Sequence, residues 1–364
     1  MHICSLTVEN FKNAEQETIR FSEGINVIYG SNASGKTNLL EAIFFFASSR
    51  SFRGCKEKDL IQFGKTFAKA ELVFVSNELE RSINLLLQKH ERRQIFVNRM
   101  RVQKVAEYLG LFRAVVFTPD HLNLVKGSSP FRRKFLDIAI CQSFPRYVSS
   151  LHEYQRLTEQ KTALLKTERP DRALLEIYHE RMAPLAAIIT LNRNRYIRTL
   201  EESAAAFQAE MSGEKEKLEL RYLSQSGEAA ASLEELKTAY LNIFREKAEK
   251  EIQYGLPLYG PQKDDFEVLI NGKNARTFGS QGQQRSAVLS LKLAEGELSQ
   301  RLTGDYPVFL LDDILSELDD GRRKYILSKI PGKQVILTGC EPELFSEYRD
   351  ANRIFVSEGK AVNV

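Results

Sequence analysis

Apolar and polar residues alternate along much of the chain up to residue 118. A period of two places apolar side chains on one face of an extended backbone, so it predicts β-strands. Strands are expected at 3–8, 19–21, 25–29, 67–75, 81–87, 94–97 and 114–117. The unbroken apolar run NLLEAIFFFAS at 38–48 instead predicts a buried helix.

After Pro119 the apolar residues recur every three or four positions, which is the spacing of a helix with one apolar face. Long helical patterns cover 131–167 and 174–196, and the stretch 200–250, rich in alanine, glutamate and lysine, is also predicted to be helical. The spacing is not sustained as heptads, which argues against a long coiled coil. We therefore expect a compact helical arm at 119–252.

Glycines, turns and strands return from Gln253 onward. The stretch VFLLDD at 308–313 has four apolar residues before two acids, which is typical of a buried parallel strand that ends at the carboxyl edge of a sheet. The pattern as a whole predicts an α/β fold built from residues 1–118 and 253–364, with the helical arm inserted between them.

Composition narrows the class of protein only slightly. The chain has 364 residues, 43% of them hydrophobic, and a net charge of +4, which permits a polyanionic partner without demanding one. None of the four cysteines is paired at metal-ligand spacing, so we expect reduced thiols and neither a disulfide framework nor a zinc site. No signal peptide and no bilayer-spanning run is evident, so the expected location is the cytoplasm, without a membrane partner.

The stretch GSNASGKT at 30–37 is a full match to the P-loop pattern G-x-x-x-x-G-K-[ST]. A strand is predicted before it and a helix after it, as a P-loop requires. Its glycines let the backbone wrap a phosphate, and the helix start supplies amide donors. Lys36 would reach the β- and γ-phosphates of ATP, and the Thr37 hydroxyl would hold Mg²⁺. The alternative is a glycine-rich turn before a core helix.

The two acids of VFLLDD fit a second nucleotide motif, Walker B. Asp312 fits the carboxylate that binds Mg²⁺ through water, and Asp313 would polarise the attacking water. Taken alone, an apolar strand that ends in two acids more often meets an ordinary turn. The P-loop in the same chain favours the functional interpretation.

A polar, glycine-bearing stretch, FGSQGQQRS at 278–286, precedes an amphipathic helix. Such a helix start can bind an anion, although a plain helix with Ser280 as N-cap explains the same residues. A nucleotide needs only one phosphate cradle, and the P-loop supplies it. A second anion site just upstream of Walker B matches ATP-binding-cassette proteins, in which this helix closes on the γ-phosphate held by another subunit.

These motifs together resemble the RecF family, bacterial recombination mediators of the SMC-like ATPase group. The resemblance spans nearly the whole chain and rests on LTVENFKN, INVIYGSNASGKTNLLEAI, SSRSFR, VVFTPDHLNLVKGSSPFRRKFLD, YGPQKDDFEVLINGK, FGSQGQQRSAVLSLKLAE and LLDDILSELDDGRR. It implies an ABC-type ATPase head, made of a mixed β-sheet lobe and a P-loop α/β lobe, with a compact helical arm inserted.

The resemblance also implies roles for individual residues. ATP would contact Gly30, Ser31, Asn32, Ala33, Ser34, Gly35, Lys36, Thr37, Asn38, Ser280, Gln281, Gly282, Gln283 and Thr338. Lys36, Asp312 and Asp313 would be catalytic, with Thr37 and Asp312 on Mg²⁺ and Arg285 shaping the signature loop. The stretch SELD at 316–319 is similar to the D-loop of a dimer interface, and Thr338 takes the place of a switch histidine.

Three positions depart from the family pattern. No glutamine occupies the Q-loop position at 118–120, so the resemblance leaves open whether that loop contacts the metal. Gln262-Lys263 replaces His-Arg after Gly-Pro, and Ser34 replaces a glutamine. The last two changes remove no group that the chemistry requires.

Basic clusters are candidate DNA contacts, each with a solvated surface as the alternative. They are Arg50, Arg53, Lys56 and Lys58; Arg92, Arg93, Arg99 and Arg101; and Arg132, Arg133 and Lys134. Affinity for DNA comes from local phosphate neutralisation, so the low net charge is no objection. A continuous basic surface would form only when two heads close on ATP.

The resemblance therefore implies a weak, DNA-stimulated ATPase that dimerises on ATP and binds double-stranded and gapped DNA. With RecO and RecR it would promote RecA loading in gap repair, replication restart and the SOS response. One alternative is a nucleotide-gated clamp whose hydrolysis is vestigial. A transporter subunit would lack such an arm and carry a switch histidine, and a nuclease would need a separate acidic metal site.

Overall fold

The computed structural model describes residues 1–227, 232–329, 331–340 and 350–364. Its strands are β1 (His2–Phe11), β2 (Ala14–Arg20), β3 (Ile25–Tyr29), β4 (Phe67–Ser76), β5 (Leu79–Gln88), β6 (Gln94–Val97), β7 (Met100–Val102), β8 (Ala114–Phe117), β9 (Leu218–Leu223), β10 (Asp265–Ile270), β11 (Lys273–Asn274), β12 (Val308–Leu311), β13 (Val335–Gly339), β14 (Asn352–Ser357) and β15 (Lys360–Asn363). Its helices are α1 (Lys36–Ser48), α2 (Asn123–Lys126), α3 (Ser129–Cys141), α4 (Pro145–Leu165), α5 (Arg172–Ser212), α6 (Leu233–Glu246), α7 (Ala248–Tyr254), α8 (Ala275–Phe278), α9 (Gln281–Thr303) and α10 (Asp320–Ser328).

The chain forms two compact units. The first, which we call the head unit, comprises Met1–His121 and Lys292–Val364, and the second, the helical unit, comprises Leu122–Leu291. The division of the chain near residue 120 lies close to the predicted start of the arm. The chain re-enters the head unit inside α9, at Lys292, whereas the sequence pattern predicts this boundary after residue 252. The functional assignment of 253–291 to the ATPase head stays a prediction.

An antiparallel sheet in the head unit has the order β2-β1-β4-β5-β6-β7 within the described residues. Alternate residues of its strands are buried, among them Leu6 and Val8 on β1 and Leu72 and Phe74 on β4, all 0% exposed. The predicted strands of this region are confirmed. The three-residue β7 was not predicted, because it is too short for an alternation to be visible.

A second sheet in the head unit has the order β15-β14-β3-β13-β12-β8, and all its neighbours are parallel except the β14–β15 hairpin. Every residue of β8, β12 and β13 is buried, which confirms the parallel strand predicted at VFLL. The carboxyl ends of β3, β8, β12 and β13 meet at one edge, where such sheets place ligands. The buried helix predicted after β3 is also confirmed as α1.

The helical unit contains the long α4 and α5, as the periodicity predicts, and α5 runs for 41 residues. The prediction of helix throughout 200–250 is wrong at β9, which pairs antiparallel with β10 from Leu218↔Ile270 to Leu223↔Asp265. Leu218 and Leu220 are buried and alternate with polar residues, so the local period is two. No described helix is both long and apolar enough to cross a membrane.

Candidate nucleotide site

The P-loop lies between β3 and α1, and its backbone is crowded at two glycines. Gly35 has φ 118°, and a Cβ there would lie 2.8 Å from Asn13 Nδ2. At Gly30 a Cβ would meet the Val356 carbonyl oxygen at 2.0 Å. Neither position can carry a side chain without a shift of its neighbours, so these glycines allow the close wrapping that a phosphate cradle needs.

Lys36 is buried, at 4% exposed, and its ammonium lies within the loop. Its Nζ donates to the carbonyl oxygens of Gly30 and Ser31, at 2.9 Å each, and lies 3.4 Å from Cys340 Sγ. The Ser34 hydroxyl oxygen is also buried and has no hydrogen-bond partner in the described part of the chain. A buried cation and an unsatisfied hydroxyl in a glycine-lined loop fit a phosphate group.

The carboxylate of Asp312, the predicted Walker B residue, contacts helix α1 directly. Thr37 Oγ1 donates to Asp312 Oδ1 at 2.9 Å, and Thr338 Oγ1 donates to the same oxygen at 3.0 Å. Burial raises the pKa of Asp312, while the bonds from Thr37 and Thr338 and the charge of Arg53 oppose that rise. Thr338 also accepts a bond from the Asp313 backbone N–H at 2.9 Å, so this residue fixes both acids.

Hydroxyl and carboxylate oxygens are the ligands that Mg²⁺ prefers, so Thr37 and Asp312 could hold that ion. Among the described residues no cluster of three or more His, Cys, Asp or Glu could hold a metal by itself. This donor set fits a Mg²⁺ that is shared with phosphate oxygens, which is the usual arrangement for nucleotide-bound magnesium.

Asp313 is held in an uncommon backbone conformation, with φ 50° and ψ 12°. Its carbonyl oxygen accepts a bond from Ser316 Oγ at 2.7 Å, at the start of the predicted D-loop. Non-glycine residues in the left-handed region cost energy and occur disproportionately at functional sites. Asp319, at the other end of that loop, caps α10 by accepting from the Arg322 N–H at 3.0 Å.

Asn13, between β1 and β2, braces the P-loop from outside, and no role had been predicted for it. Its Nδ2 donates to the Ser34 carbonyl oxygen at 3.0 Å, and its Oδ1 accepts from Asn38 Nδ2 at 2.8 Å. The same Ser34 oxygen accepts from the Gly359 N–H at 2.9 Å. The sequence offers only a weak signal for this contact, namely an asparagine in a turn before the motif.

Glu41 is a fully buried carboxylate one turn beyond Thr37 on α1, and it too was missed. It accepts bonds from the Ser51 hydroxyl and, at 3.1 Å, from the Cys55 thiol, so it ties the loop 49–55 to the P-loop helix. From this loop, Arg53 Nη1 donates to Asn38 Oδ1 at 3.3 Å. Arg53, predicted to contact DNA, therefore lies beside the nucleotide motif.

The stretch FGSQGQQRS begins α9 and belongs to the helical unit, whereas the P-loop and Walker B belong to the head unit. Ser280 Oγ accepts from the Gln283 N–H at 3.2 Å, and Gln283 Oε1 accepts from the Ser280 N–H at 2.9 Å. This reciprocal pair is a capping box, so the plain N-cap interpretation describes the local structure. Ser280 and Gln281 are nevertheless exposed, and the Ser280 hydroxyl proton is not used by the cap.

The basic clusters differ in exposure. Arg92, Arg99 and Arg101 are exposed, while Arg93 is half-buried and donates to the Ser49 carbonyl oxygen at 3.0 Å and to Glu57 Oε1 at 2.5 Å.

The interpretation of Arg132 as a DNA contact is wrong. Its side chain is buried, and its guanidinium binds both carboxylate oxygens of Asp265 at 2.6 and 2.7 Å. The neighbouring Arg133 donates to the Asp264 carbonyl oxygen at 2.6 Å. A run of basic residues looks alike in sequence whether it meets solvent or carboxylates, so the pattern could not reveal this pairing.

A P-loop and a Walker B acid at the edge of a parallel sheet, with a second, antiparallel sheet in the same unit, define an ABC-type ATPase head. The Smc head domain of Pyrococcus furiosus has this fold, with a TM-score of 0.57 and 18% identity over 100% of this chain and 96% of that chain. The family model described as RecF/RecN/SMC N terminal domain matches residues 2–363.

Two comparisons narrow the class further. The protein of Geobacillus kaustophilus named "DNA replication and repair protein RecF" is 42% identical over 92% of this chain and 91% of its own length. A solved structure described as "the recombination mediator protein RecF-ATP in RecFOR pathway" has a TM-score of 0.92 and 34% identity, and covers 100% of this chain and 97% of its own. The chain belongs to the RecF family.

Proposed function

We propose that this protein is an ATP-dependent, DNA-binding recombination mediator. The observation that carries the proposal is the contact of Thr37 with Asp312 at 2.9 Å, beside the buried ammonium of Lys36. This arrangement joins a phosphate cradle to an oxygen site for Mg²⁺. The RecF structure described with ATP supports ATP as the nucleotide.

In the proposed site, Lys36 binds the β- and γ-phosphates, and the amides of 30–38 surround them. Thr37 and Asp312 hold Mg²⁺, which would neutralise charge on the phosphates when bound. Asp313 orients the attacking water, and its reach, shorter than that of a glutamate, suits slow hydrolysis. The bond from its N–H to Thr338 and the bond from Ser316 to its carbonyl keep its backbone in place.

Hydrolysis of ATP requires a dimer of this chain. The exposed Ser280, with Gly282 and Gln283, contacts the γ-phosphate bound by the partner copy, while Gln281 and Arg285 shape the loop. The start of α9 supports this role because its amides and positive dipole end favour an anion. ATP then acts as the ligand that joins two heads, and hydrolysis separates them.

The closed dimer binds double-stranded DNA and the junctions of single-stranded gaps, through Arg50, Lys56, Arg92, Arg99 and Arg101. With RecO and RecR it promotes RecA loading at gaps. The relative's name, with its reference to replication and repair, and the RecFOR pathway in the structure's description support these partners.

Sedimentation velocity tests the proposal. The protein should be a dimer with ATP and a gapped duplex and should return toward the monomer as ATP is consumed. Asp313→Asn keeps the size of the side chain but removes the carboxylate, so its dimer should persist on DNA because hydrolysis stops. A wild-type chain that is monomeric in every condition contradicts the proposal, and an Asp313→Asn protein with normal turnover supports the vestigial-hydrolysis clamp instead.

A further inference from the structure

Phe63 presents its whole ring to solvent. Its relative exposure is 102%, the highest of the large hydrophobic residues in the described part of the chain. Exposed apolar residues are common on protein surfaces, but a fully projecting aromatic ring buries nothing within its own fold. Its contribution to the stability of the monomer is therefore small, and its surroundings indicate what it contacts.

The turn that carries Phe63 is firmly held. The Lys65 N–H bonds the Gln62 carbonyl oxygen at 3.0 Å, and Gly64 has φ 83°, which closes a four-residue turn with Phe63 at its corner. The Gln62 N–H bonds the Asn10 carbonyl oxygen at 2.8 Å, so β1 anchors the turn. The buried Leu60 and Ile61 fix the preceding residues. The ring is thus presented by a preorganised support, which lowers the entropy cost of binding.

The chain segment that carries the ring is rich in lysine. Lys56, Lys58 and Lys65 are exposed, and no carboxylate forms an ion pair with them in the ranges that the structure describes. Two acids lie in the same segment, and one of them is neutralised. Glu57 is paired with Arg93, whose Nη1 donates to it at 2.5 Å, whereas Asp59 accepts a bond from the Lys56 backbone N–H at 3.1 Å and keeps its charge. Segment 56–65 therefore keeps three lysines against one unpaired carboxylate, so the stretch of chain that carries Phe63 has a net positive charge.

An aromatic ring among lysines fits nucleic acid better than a protein partner, because lysine is depleted from protein interfaces. Lysines neutralise phosphates, and an aromatic ring stacks on a base whose face is uncovered. Base faces are covered inside a continuous duplex and uncovered where a duplex meets a single strand.

We propose that Phe63 stacks on the uncovered base at the edge of a gap, while Lys56, Lys58 and Lys65 hold the adjoining phosphates. This deepens the proposed DNA-binding function and rests on it. Phe63 would then select the junction, and the lysines would supply affinity for any sequence.

Fluorescence gives a direct test, because the chain contains no tryptophan. Phe63→Trp would introduce a single indole at the proposed stacking site, and in the presence of ATP a gapped duplex should quench its emission while a continuous duplex should not. Leu79→Trp is the matched control. Leu79 is 58% exposed and lies beyond the far end of β4, about 30 Å from that strand's start. Equal quenching of both indoles, or none at Phe63→Trp, would overturn the proposal.

Affinity gives the second test. Phe63→Ala should weaken ATP-dependent binding to the gapped duplex about tenfold, change binding to the continuous duplex less than about twofold, and leave the salt dependence unchanged. Lys65→Ala should instead reduce the salt slope by about one on both DNAs.

A Phe63→Ala protein that binds both DNAs like wild type, or loses affinity equally for both, overturns stacking at the junction. If wild-type protein binds neither DNA with ATP, it is the underlying DNA-binding function that fails.

Discussion

Thr37 and Asp312 are far apart in the sequence, yet the Thr37 hydroxyl donates to a carboxylate oxygen of Asp312 at 2.9 Å. The contact exists because β3 and β12 each neighbour β13 in one parallel sheet and end at the same edge. Thr338 on β13 donates to the same oxygen, so α1, which follows β3, and the ends of β12 and β13 meet at one carboxylate. The proposed nucleotide site therefore depends on the strand order of the sheet as much as on the P-loop or the Walker B motif.

Lys36→Ala should weaken ATP binding by about tenfold or more, because a charged donor to phosphate oxygens is lost. ATP-dependent dimerisation and the ATP-stimulated part of DNA binding should disappear with it. Titration with a fluorescent ATP analogue measures the first effect, and sedimentation measures the second. Lys69→Ala is the control, since Lys69 is exposed on β4 and pairs with Glu9. Tight ATP binding by Lys36→Ala would refute the placement of the phosphates.

Ser280→Asp separates the observed role of Ser280 as a helix cap from its proposed role at the γ-phosphate of the partner copy. Aspartate is as good an N-cap as serine, so α9 should keep its stability, while the added negative charge should repel a γ-phosphate. We expect normal nucleotide binding and melting, without ATP-dependent dimerisation or turnover. Ser280→Arg should also block dimerisation but lose the cap, at a cost of about 1 kcal/mol. Normal hydrolysis by both variants would show that the residue has no role across the dimer.

Acidification should destabilise the helical unit through His179. Burial, together with the positive charge of Lys161, lowers its pKa from 6.5 to about 4, although Glu176 opposes the shift. Both ring nitrogens are buried without a hydrogen-bond partner in the described part of the chain. The folded state therefore disfavours the protonated ring, and the unfolded state takes up the proton first.

Stability that depends on neutral His179 is fully present above about pH 6.5 and is lost progressively as the pH falls toward 4. The loss amounts to at most about 3 kcal/mol. Urea unfolding of wild type and His179→Leu across this range measures it, because the carboxylates that do not contact His179 titrate equally in both proteins. On acidification, wild type should lose more unfolding free energy than His179→Leu. A difference between the two proteins that does not depend on pH would contradict a lowered pKa for His179.

Arg132 and Arg101 should give opposite phenotypes. Arg132→Ala leaves Asp265 without its guanidinium, and because Asp265 is 24% exposed the cost should be about 2 kcal/mol rather than that of a fully buried pair. Its DNA affinity should be unchanged under conditions where it is folded. Arg101→Ala should keep its melting temperature and lose affinity for DNA, with a lower salt slope. Equal effects of the two variants on DNA binding would count against the buried role of Arg132.

Local patterns predicted much of this fold. The strands of the first sheet other than β7, the buried α1 and the apolar β12 all follow from period or from an unbroken apolar run. The P-loop follows from residue types at fixed spacing. Partners distant along the chain could not be predicted. Strand β9 lies in a region rich in helix-forming residues and pairs with β10, and Glu41 looks like one polar residue in an apolar helix. Its hydrogen bonds with Ser51 and Cys55 depend on the path of the loop 49–55, which no local sequence pattern predicts.

The carbonyl oxygen of Ser34 is shared by donors from Asn13 and Gly359. During synthesis the ribosome makes Asn13 and Ser34 before β12, β13 and β14, and Gly359 only after them. The P-loop of a nascent chain is therefore braced on one side alone, and its second brace arrives when the β14–β15 hairpin forms. The loop acquires its full support only after that hairpin has been made, so a growing chain that still lacks Gly359 presents a P-loop with one brace.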